Sequence, residues 1–488
     1  MDHAAPESLT QSMAIWWTIV AIAFASLVAT NLPWQLDDYD QAKQAFTSFE
    51  MVKQGHWLYQ HTPRGRVATK PPLVGWVSAG LFEVTRSWDL AWRLPVLLSA
   101  AVLAVSLYGV AKRAYGTTAA AVAAGAFVFN LLAPRLATLV RTDMPLALVI
   151  SLIGLVIWEK IRANEPWQRR DRVRVFLLLC AAMLIKGPIV YAFLLPGMIF
   201  FEWWRRRRGH AVSTWSGWWP WALSLGLFLA WAAGGIRFVP GFYDQVVVRE
   251  FLGRFGETIH RPQPFWFYLP HLLHKFAPWS LLLVVFAIVL RRSSTPEGRR
   301  LSPETMWLLC WSVGGLVLMS FIPSKRVDRI FPVIPPLCLL LAAQVARWPN
   351  DQSRRFSKRT VGAVALVVAI LFSGSYSIFK IVTGYRGHRD ALVEFGKAVR
   401  QDAMANGRKF EALAGSDEGM ILYLDKNEFI EADQAVALWK SNQIDALVVP
   451  VSDFPSLQGE LPGAVEALRS VRRVDLDPQY ILLTRQTR

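Results

Sequence analysis

Pro72-Leu73-Val74-Gly75-Trp76-Val77-Ser78-Ala79-Gly80-Leu81-Phe82-Glu83-Val84 is the stretch whose placement decides the fold. It is apolar enough to be counted as a membrane span, and counting it reverses the side of every later loop. Arg205 to Arg208 would then face outward. An excess of Lys and Arg in short loops marks the cytoplasmic side, so parity rejects the span. The stretch is expected instead as an amphipathic helix on the outer surface, like Gln41 to Gln54 before it.

That decision leaves about eleven spans of roughly membrane-crossing length between Met13 and Val382, with the N-terminus cytoplasmic and the C-terminus outside. The linkers then separate into two kinds. Arg169-Arg170-Asp171-Arg172, Arg205 to Arg208, Arg291-Arg292, Arg299-Arg300 and Arg354-Arg355 to Arg359 are basic and carry no other chemistry. Asp37-Asp38, Lys70-Pro71-Pro72, Arg249 to His260 and Ser324-Lys325-Arg326 mix charge with aromatic residues. Every candidate for chemistry falls in the second kind, on the outer face.

The composition agrees. Of 488 residues, 53% are hydrophobic and only 18% charged, against about a quarter in soluble domains, so the chain reads as an α-helical polytopic membrane protein. Its 22 tryptophans cluster at segment ends, as an interfacial belt requires. The net charge of +17 lies largely in cytoplasmic-type loops, where anionic lipid explains it, and no nucleic-acid partner is expected. Cys180, Cys310 and Cys338 sit inside apolar runs, with no spacing for a metal site or a disulfide framework.

From Tyr385 the pattern changes. Leu392, Phe395 and Val399 recur at helical spacing, Gln443 to Val449 reads as a buried strand, and Tyr480 to Leu483 as a closing strand. The expected domains are therefore 1–384, transmembrane, and 385–488, a small extracytoplasmic α/β domain with a structural or docking role.

The outer loops hold the candidate site. In Asp37-Asp38-Tyr39-Asp40 one carboxylate suffices for a helix cap, and three exceed that need. Adjacent carboxylates can take a proton from an attacking hydroxyl or hold a divalent cation. A bound Mg²⁺ or Mn²⁺ on Asp37 and Asp38 fits that chemistry, although no feature of the sequence demands it. Lys70, before a proline-stiffened helix start, can ground a phosphate or snorkel to the interface. Asp143 opens a span from the outer side as a functional acid or an N-cap, and Lys186 sits in a tight outer turn. Arg249 and Arg254, five apart, roughly share a helix side, near His260 and the aromatic run Phe265 to Tyr268; guanidinium on phosphate and rings on isoprene suit a lipid phosphate. Lys325, Arg326 and Arg329 oppose the positive-inside trend, which an anionic ligand explains better than topology does.

Taken in order, these motifs resemble the GT-C glycosyltransferases of the family 39 and ArnT-like group. The resemblance is carried by Asp37-Asp38, Lys70-Pro71, Arg93-Leu94-Pro95, Thr142-Asp143-Met144 and Lys186-Gly187, then by Arg254-Phe255, Pro264-Phe265-Trp266, Pro278-Trp279 and Ser324-Lys325 through Pro335-Pro336. It implies a GT-C fold and inverting transfer of a sugar from a polyprenyl-phosphate donor to an envelope glycolipid, glycan or protein hydroxyl at the outer face of a bacterial inner membrane. It further implies the first Asp of the pair as the catalytic carboxylate and Lys70, Arg254 and the Lys325 loop at the donor phosphate. The residue chemistry adds Asp38 as the other candidate base, Arg249, Arg326 and Arg329 at the phosphate, and Asp143, Lys186 and His260 in support. Asp40 and Arg329 depart from the family pattern, which often has Arg and Tyr there. A lipid-carrier flippase and a glycan ligase are the alternatives; the first requires charges near the midplane, and here they lie at the rim.

Overall fold

The structure, a computed structural model, describes residues 7–36, 39–210, 212–254, 262–293, 301–348, 357–415, 417–474 and 479–485. The chain divides into two compact units. One comprises Met1–Thr30, Arg93–Thr138 and Thr142–Ile378; the other comprises Asn31–Trp92, Leu139–Arg141 and Phe379–Arg488.

The first unit is helical and belongs to a multi-pass membrane protein. Among the described residues, six helices are long and apolar enough to cross a bilayer: Trp88–Tyr115, Asp143–Ala163, Trp218–Phe238, Pro303–Phe321, Val327–Ala346 and Lys358–Arg386. A pair bent by 94°, Phe265–Lys275 with Trp279–Arg291, makes a seventh if taken as one span. The expectation was about eleven. The difference lies partly in short apolar helices such as Thr117–Val128, and partly in the arginine-rich ends of Arg169–Lys186 and Ile189–Arg208.

Small residues set the closest packing. Gly197, in the helix Ile189–Arg208, faces the backbone of Cys310 and Trp311 and meets Gly314 of the helix Pro303–Phe321. In lipid, where no hydrophobic force separates protein from solvent, such close backbone approach is a main source of helix association. Trp307 Nε1 donates to Gly154 O at 3.0 Å, and Trp311 lies over the same glycine.

The two ends of one antiparallel helix pair in this unit carry different ion pairs. Asp143–Ala163 has 21 residues, about 31 Å at the helical rise. At its start Asp143 pairs with Lys186, the last residue of the antiparallel neighbour Arg169–Lys186. At its other end Lys160 pairs with Asp171, in that neighbour's first turn, at 2.7 Å. Near this second end Arg113 pairs with Glu159, and Trp167 Nε1 donates to Ser213 O.

The second unit contains helices α1's successors α2 (Tyr39–Gln54) and α3 (Leu73–Thr85), where α1 is Glu7–Ala29. At 13 residues, α3 is shorter than the roughly 20 a span needs. A four-stranded sheet has the order β1-β2-β4-β3, from Phe410–Ala412 (β1), Ala446–Pro450 (β2), Ala464–Arg469 (β3) and Tyr480–Arg485 (β4). β1 and β2 are parallel and the other pairs antiparallel, so the expected α/β class and both expected strands are present.

Alternation along β2 and β4 feeds two cores. Ala446, Val448, Tyr480 and Leu482 pack with Leu392, Phe395 and Val399 and with Ala42, Ala45, Phe46 and Phe49 of α2. Leu447, Val449, Ile481 and Leu483 pack on the other side with Trp439. The tail therefore does not stop at the linear boundary of 384/385: residues 31–92 share its core. This also changes the expectation for α2, because Gln41, Gln44, Thr47, Ser48 and Glu50 are buried as well as its apolar residues. Its polar side meets protein rather than water; Trp92 Nε1, for one, donates to Ser48 Oγ at 3.0 Å.

Gly197→Leu should lower the melting temperature of the purified protein in detergent, at a cost of about 1–3 kcal/mol from overpacking. Gly226→Leu, where a side chain meets open space, should leave it unchanged.

Candidate functional site

In the second unit the backbone on both sides of the acidic pair is tied down. Leu36, immediately before the pair, is buried and its N–H donates to the Tyr423 hydroxyl at 2.6 Å. Tyr39 and Asp40 open α2, and the buried Gln41 Oε1 accepts the Val140 N–H at 3.0 Å. Asp37 and Asp38 themselves lie outside the described residues, so the proposed Mg²⁺ or Mn²⁺ on them stays an expectation.

Between α2 and α3 the chain makes a tight hairpin. Thr62-Pro63-Arg64-Gly65 carries Pro where a turn wants its φ, and Gly65 adopts φ +69°, a left-handed conformation that favours glycine. Gly65 N–H donates to Thr62 O, Thr62 N–H to Arg66 O, and Ala68 N–H to Gln60 O, all within 2.9 Å. The returning strand delivers Lys70, half-buried, to Pro71-Pro72 and the start of α3. At the hairpin tip Arg64 Nε lies 3.1 Å from Glu418 Oε1, and its Nη2 donates to Gly415 O. Burial pushes the Glu418 carboxyl up, with Arg64 opposing it.

The hairpin is anchored on Glu50, a buried carboxylate near the end of α2. His56 and His61 both point Nδ1 at Glu50 Oε1, at 2.8 and 2.7 Å, and His61 N–H donates to Oε2. Burial pushes the Glu50 carboxyl up, but the hydrogen bonds from the two histidines outweigh it and hold the group below its usual range. The Glu50 bond in turn raises His61, against burial. None of these three residues was a candidate from the sequence. The signal available was a carboxylate followed by two histidines, six and eleven residues on, just before a Pro-Arg-Gly turn.

The first unit holds the other candidates. Asp143 Oδ1 and Lys186 Nζ lie 2.5 Å apart and largely buried, so the structure joins two residues that the sequence offered separately. Thr142 takes the N-cap position and Asp143 the first helical one, where a carboxylate also complements the dipole. Ile322 to Arg326 links two spans, and the 3₁₀ turn Val327–Val333 opens the second. Lys325 is buried and donates to Gln263 O at 2.9 Å; burial pushes its amine down. Arg329 Nη1 donates to Ser324 O at 2.7 Å, and Arg326 Nε lies 3.3 Å from Asp328. The three cations are thus brought onto this joint and the turn after it, beside the Phe265–Phe321 ring pair at 5.1 Å. Arg249 is exposed on the π-helix Tyr243–Phe251, a rare form often found at functional positions. Arg254 closes the 3₁₀ turn that follows, although its side chain, like all of His260, lies outside the described residues.

The description dolichyl-phosphate-mannose-protein mannosyltransferase belongs to the family model that matches residues 69–233. An undecaprenyl phosphate-alpha-4-amino-4-deoxy-L-arabinose arabinosyl transferase of Pseudomonas fluorescens is 25% identical over 371 residues, 73% of this chain and 63% of that protein. Its counterpart in Yersinia enterocolitica is 26% identical over 393 residues, 78% of this chain and 66% of that one. The chain thus spans just under two thirds of the length of these curated relatives. The crystal structure of ArnT from Cupriavidus metallidurans in the apo state superposes with a TM-score of 0.70, covering 97% of this chain and 98% of that one at 17% identity. The same protein bound to undecaprenyl phosphate gives 0.67, with 98% of each chain covered at 18% identity. The fold is that of the ArnT structures, as the motif order implied.

Asp143→Ala should cost about 3–5 kcal/mol in detergent-purified protein, because it strands a buried ammonium. Asp143→Ala combined with Lys186→Met should recover much of that loss. A thermal double-mutant cycle checks the pair, and additive losses would deny the coupling.

Proposed function

We propose that this chain is an inverting glycosyltransferase that takes a sugar from a polyprenyl-phosphate carrier. The observation that carries the proposal lies in the second unit. There the buried bonds of Leu36 and Gln41 bracket the acidic pair, and the hairpin that follows α2 positions Lys70. A base and a phosphate-binding cation on one rigid frame are what such a transfer needs.

Asp37 or Asp38 takes the proton of an acceptor hydroxyl, and the oxygen attacks the anomeric carbon from the face opposite the phosphate. The carbon–oxygen bond to the phosphate breaks, and the polyprenyl phosphate leaves with the electron pair. Lys70 balances the charge that develops on it, an electrostatic contribution that is usually the largest in such a step. The same role is assigned to Arg249, Arg254, Lys325, Arg326 and Arg329, with Asp143, Lys186 and His260 in support. A Mg²⁺ or Mn²⁺ held by the two aspartates would add positive charge beside the acceptor oxygen.

By likeness to the arabinosyl transferases, the carrier is undecaprenyl phosphate and the sugar an aminopentose, with hexosyl donors next in order. The acceptor is lipid A or another envelope glycolipid, glycan or protein hydroxyl. The enzyme works at the outer face of a bacterial inner membrane, with the N-terminus cytoplasmic and the C-terminal domain periplasmic.

Incubating the purified full-length protein with radiolabelled undecaprenyl-phosphate sugars and lipid A should release undecaprenyl phosphate and label the acceptor. Asp37→Asn or Asp38→Asn should reduce transfer by about 10²–10⁴-fold while expression is retained. Full activity in both single variants would refute the base assignment.

A further inference from the structure

The cluster of Glu50, His56 and His61 offers one carboxylate oxygen and two imidazole nitrogens that all lie within 4.8 Å of one another. We infer that these three residues form a transition-metal site, for which zinc is the fitting ion, that staples the hairpin leading to Lys70.

Three features support it. First, both rings turn the same nitrogen, Nδ1, to a single oxygen, with their centroids 5.6 Å apart and their planes at 68°. Two rings converging on one atom from different directions leave a common point between three donors. Zinc bonds of about 2.0–2.1 Å in a tetrahedron separate the ligand atoms by about 3.3–3.4 Å, so the present 2.7–2.8 Å contacts open by roughly half an ångström. Second, the donor set is right for the ion: imidazole nitrogen with one carboxylate suits zinc and its neighbours, whereas magnesium and calcium prefer oxygen alone. Third, the site is built inside and open outside. Glu50 is 2% exposed, while the side chains of His56 and His61 are 47% and 33% exposed, which leaves the fourth coordination position to water.

The surroundings hold the ligands in place. His61 N–H donates to Glu50 Oε2, the carboxylate oxygen that the two rings leave free, and Gln60 Nε2 donates to His56 O, so the backbone at both histidines is fixed by hydrogen bonds. The ion would then fix the Thr62 to Ala68 hairpin on α2 and, through its returning strand, the position of Lys70. Only this last link rests on the glycosyltransferase reading; the metal site stands without it.

Full-length protein, purified in detergent and stripped with a chelator, is titrated with zinc against a chromophoric competitor, and with Co²⁺ for its visible d–d bands. The expected result is one zinc per chain at sub-micromolar affinity and four-coordinate Co²⁺ bands. His56→Ala and His61→Ala should each weaken binding by about 100-fold or more, and His274→Ala should leave it unchanged. Zinc should also slow tryptic cleavage at Arg64 and Arg66, an effect the histidine variants lose; this readout needs no transfer activity. No uptake by the unmodified protein, or equal uptake by the His56→Ala/His61→Ala double variant, would overturn the site and leave the three residues as a hydrogen-bonded clasp. Zinc uptake with unchanged cleavage at Arg64 and Arg66 would overturn the stapling role.

Discussion

Within a hydrocarbon layer a peptide N–H or C=O can bond only to another protein group, so the chain must cross as helix and can turn irregular only where it leaves the lipid or is covered by protein. The chemistry of this molecule follows from that constraint. Asp143 and Lys186 meet where two antiparallel helices end, Lys325 lies on a joint between two spans, and Arg329 on the 3₁₀ turn that opens the second. The bent pair Phe265–Lys275 and Trp279–Arg291 breaks where Pro278 withholds an N–H. Side chains able to handle phosphate and proton thus gather at helix ends.

The second unit meets a different requirement. A loop backbone has no enforced geometry, so the segments around the acidic pair and Lys70 need a scaffold of their own. α2 provides it by sharing a core with the sheet, and Phe49, Trp88 and Trp92 extend that core through ring contacts of 5.3–5.4 Å. The tail beyond Phe379 is therefore best understood as part of the frame that holds the loops after the first span, and less as an appended domain.

Much of this was legible in the residues. Apolar runs, a strand within 443–449, a strand at 480–483 and the helical spacing of Leu392, Phe395 and Val399 all follow from patterns that act locally. The burial of α2 was not, because Gln41, Ser48 and Glu50 read as a wet face until their partners Val140, Trp92 and His61 are brought to them. For the same reason, Asp143 and Lys186 appeared as two separate hypotheses: only helix packing makes them one ion pair. His56 and His61 carried little signal alone, since their meeting on Glu50 depends on how residues 55–60 fold back after α2. The number of spans was hard to read because several helices, α3 among them, are apolar without being long.

The account rests on sidedness: the Lys70 hairpin and the Arg249 helix must open to one compartment, and Arg205 to Arg208 to the other. The most direct measurement is labelling of single cysteines, in a background with Cys180, Cys310 and Cys338 replaced, by a membrane-impermeant maleimide on intact spheroplasts. Arg66→Cys and Val248→Cys should label from outside, and Arg207→Cys only after lysis. Labelling of positions 66 and 248 from opposite sides of the membrane would contradict the account.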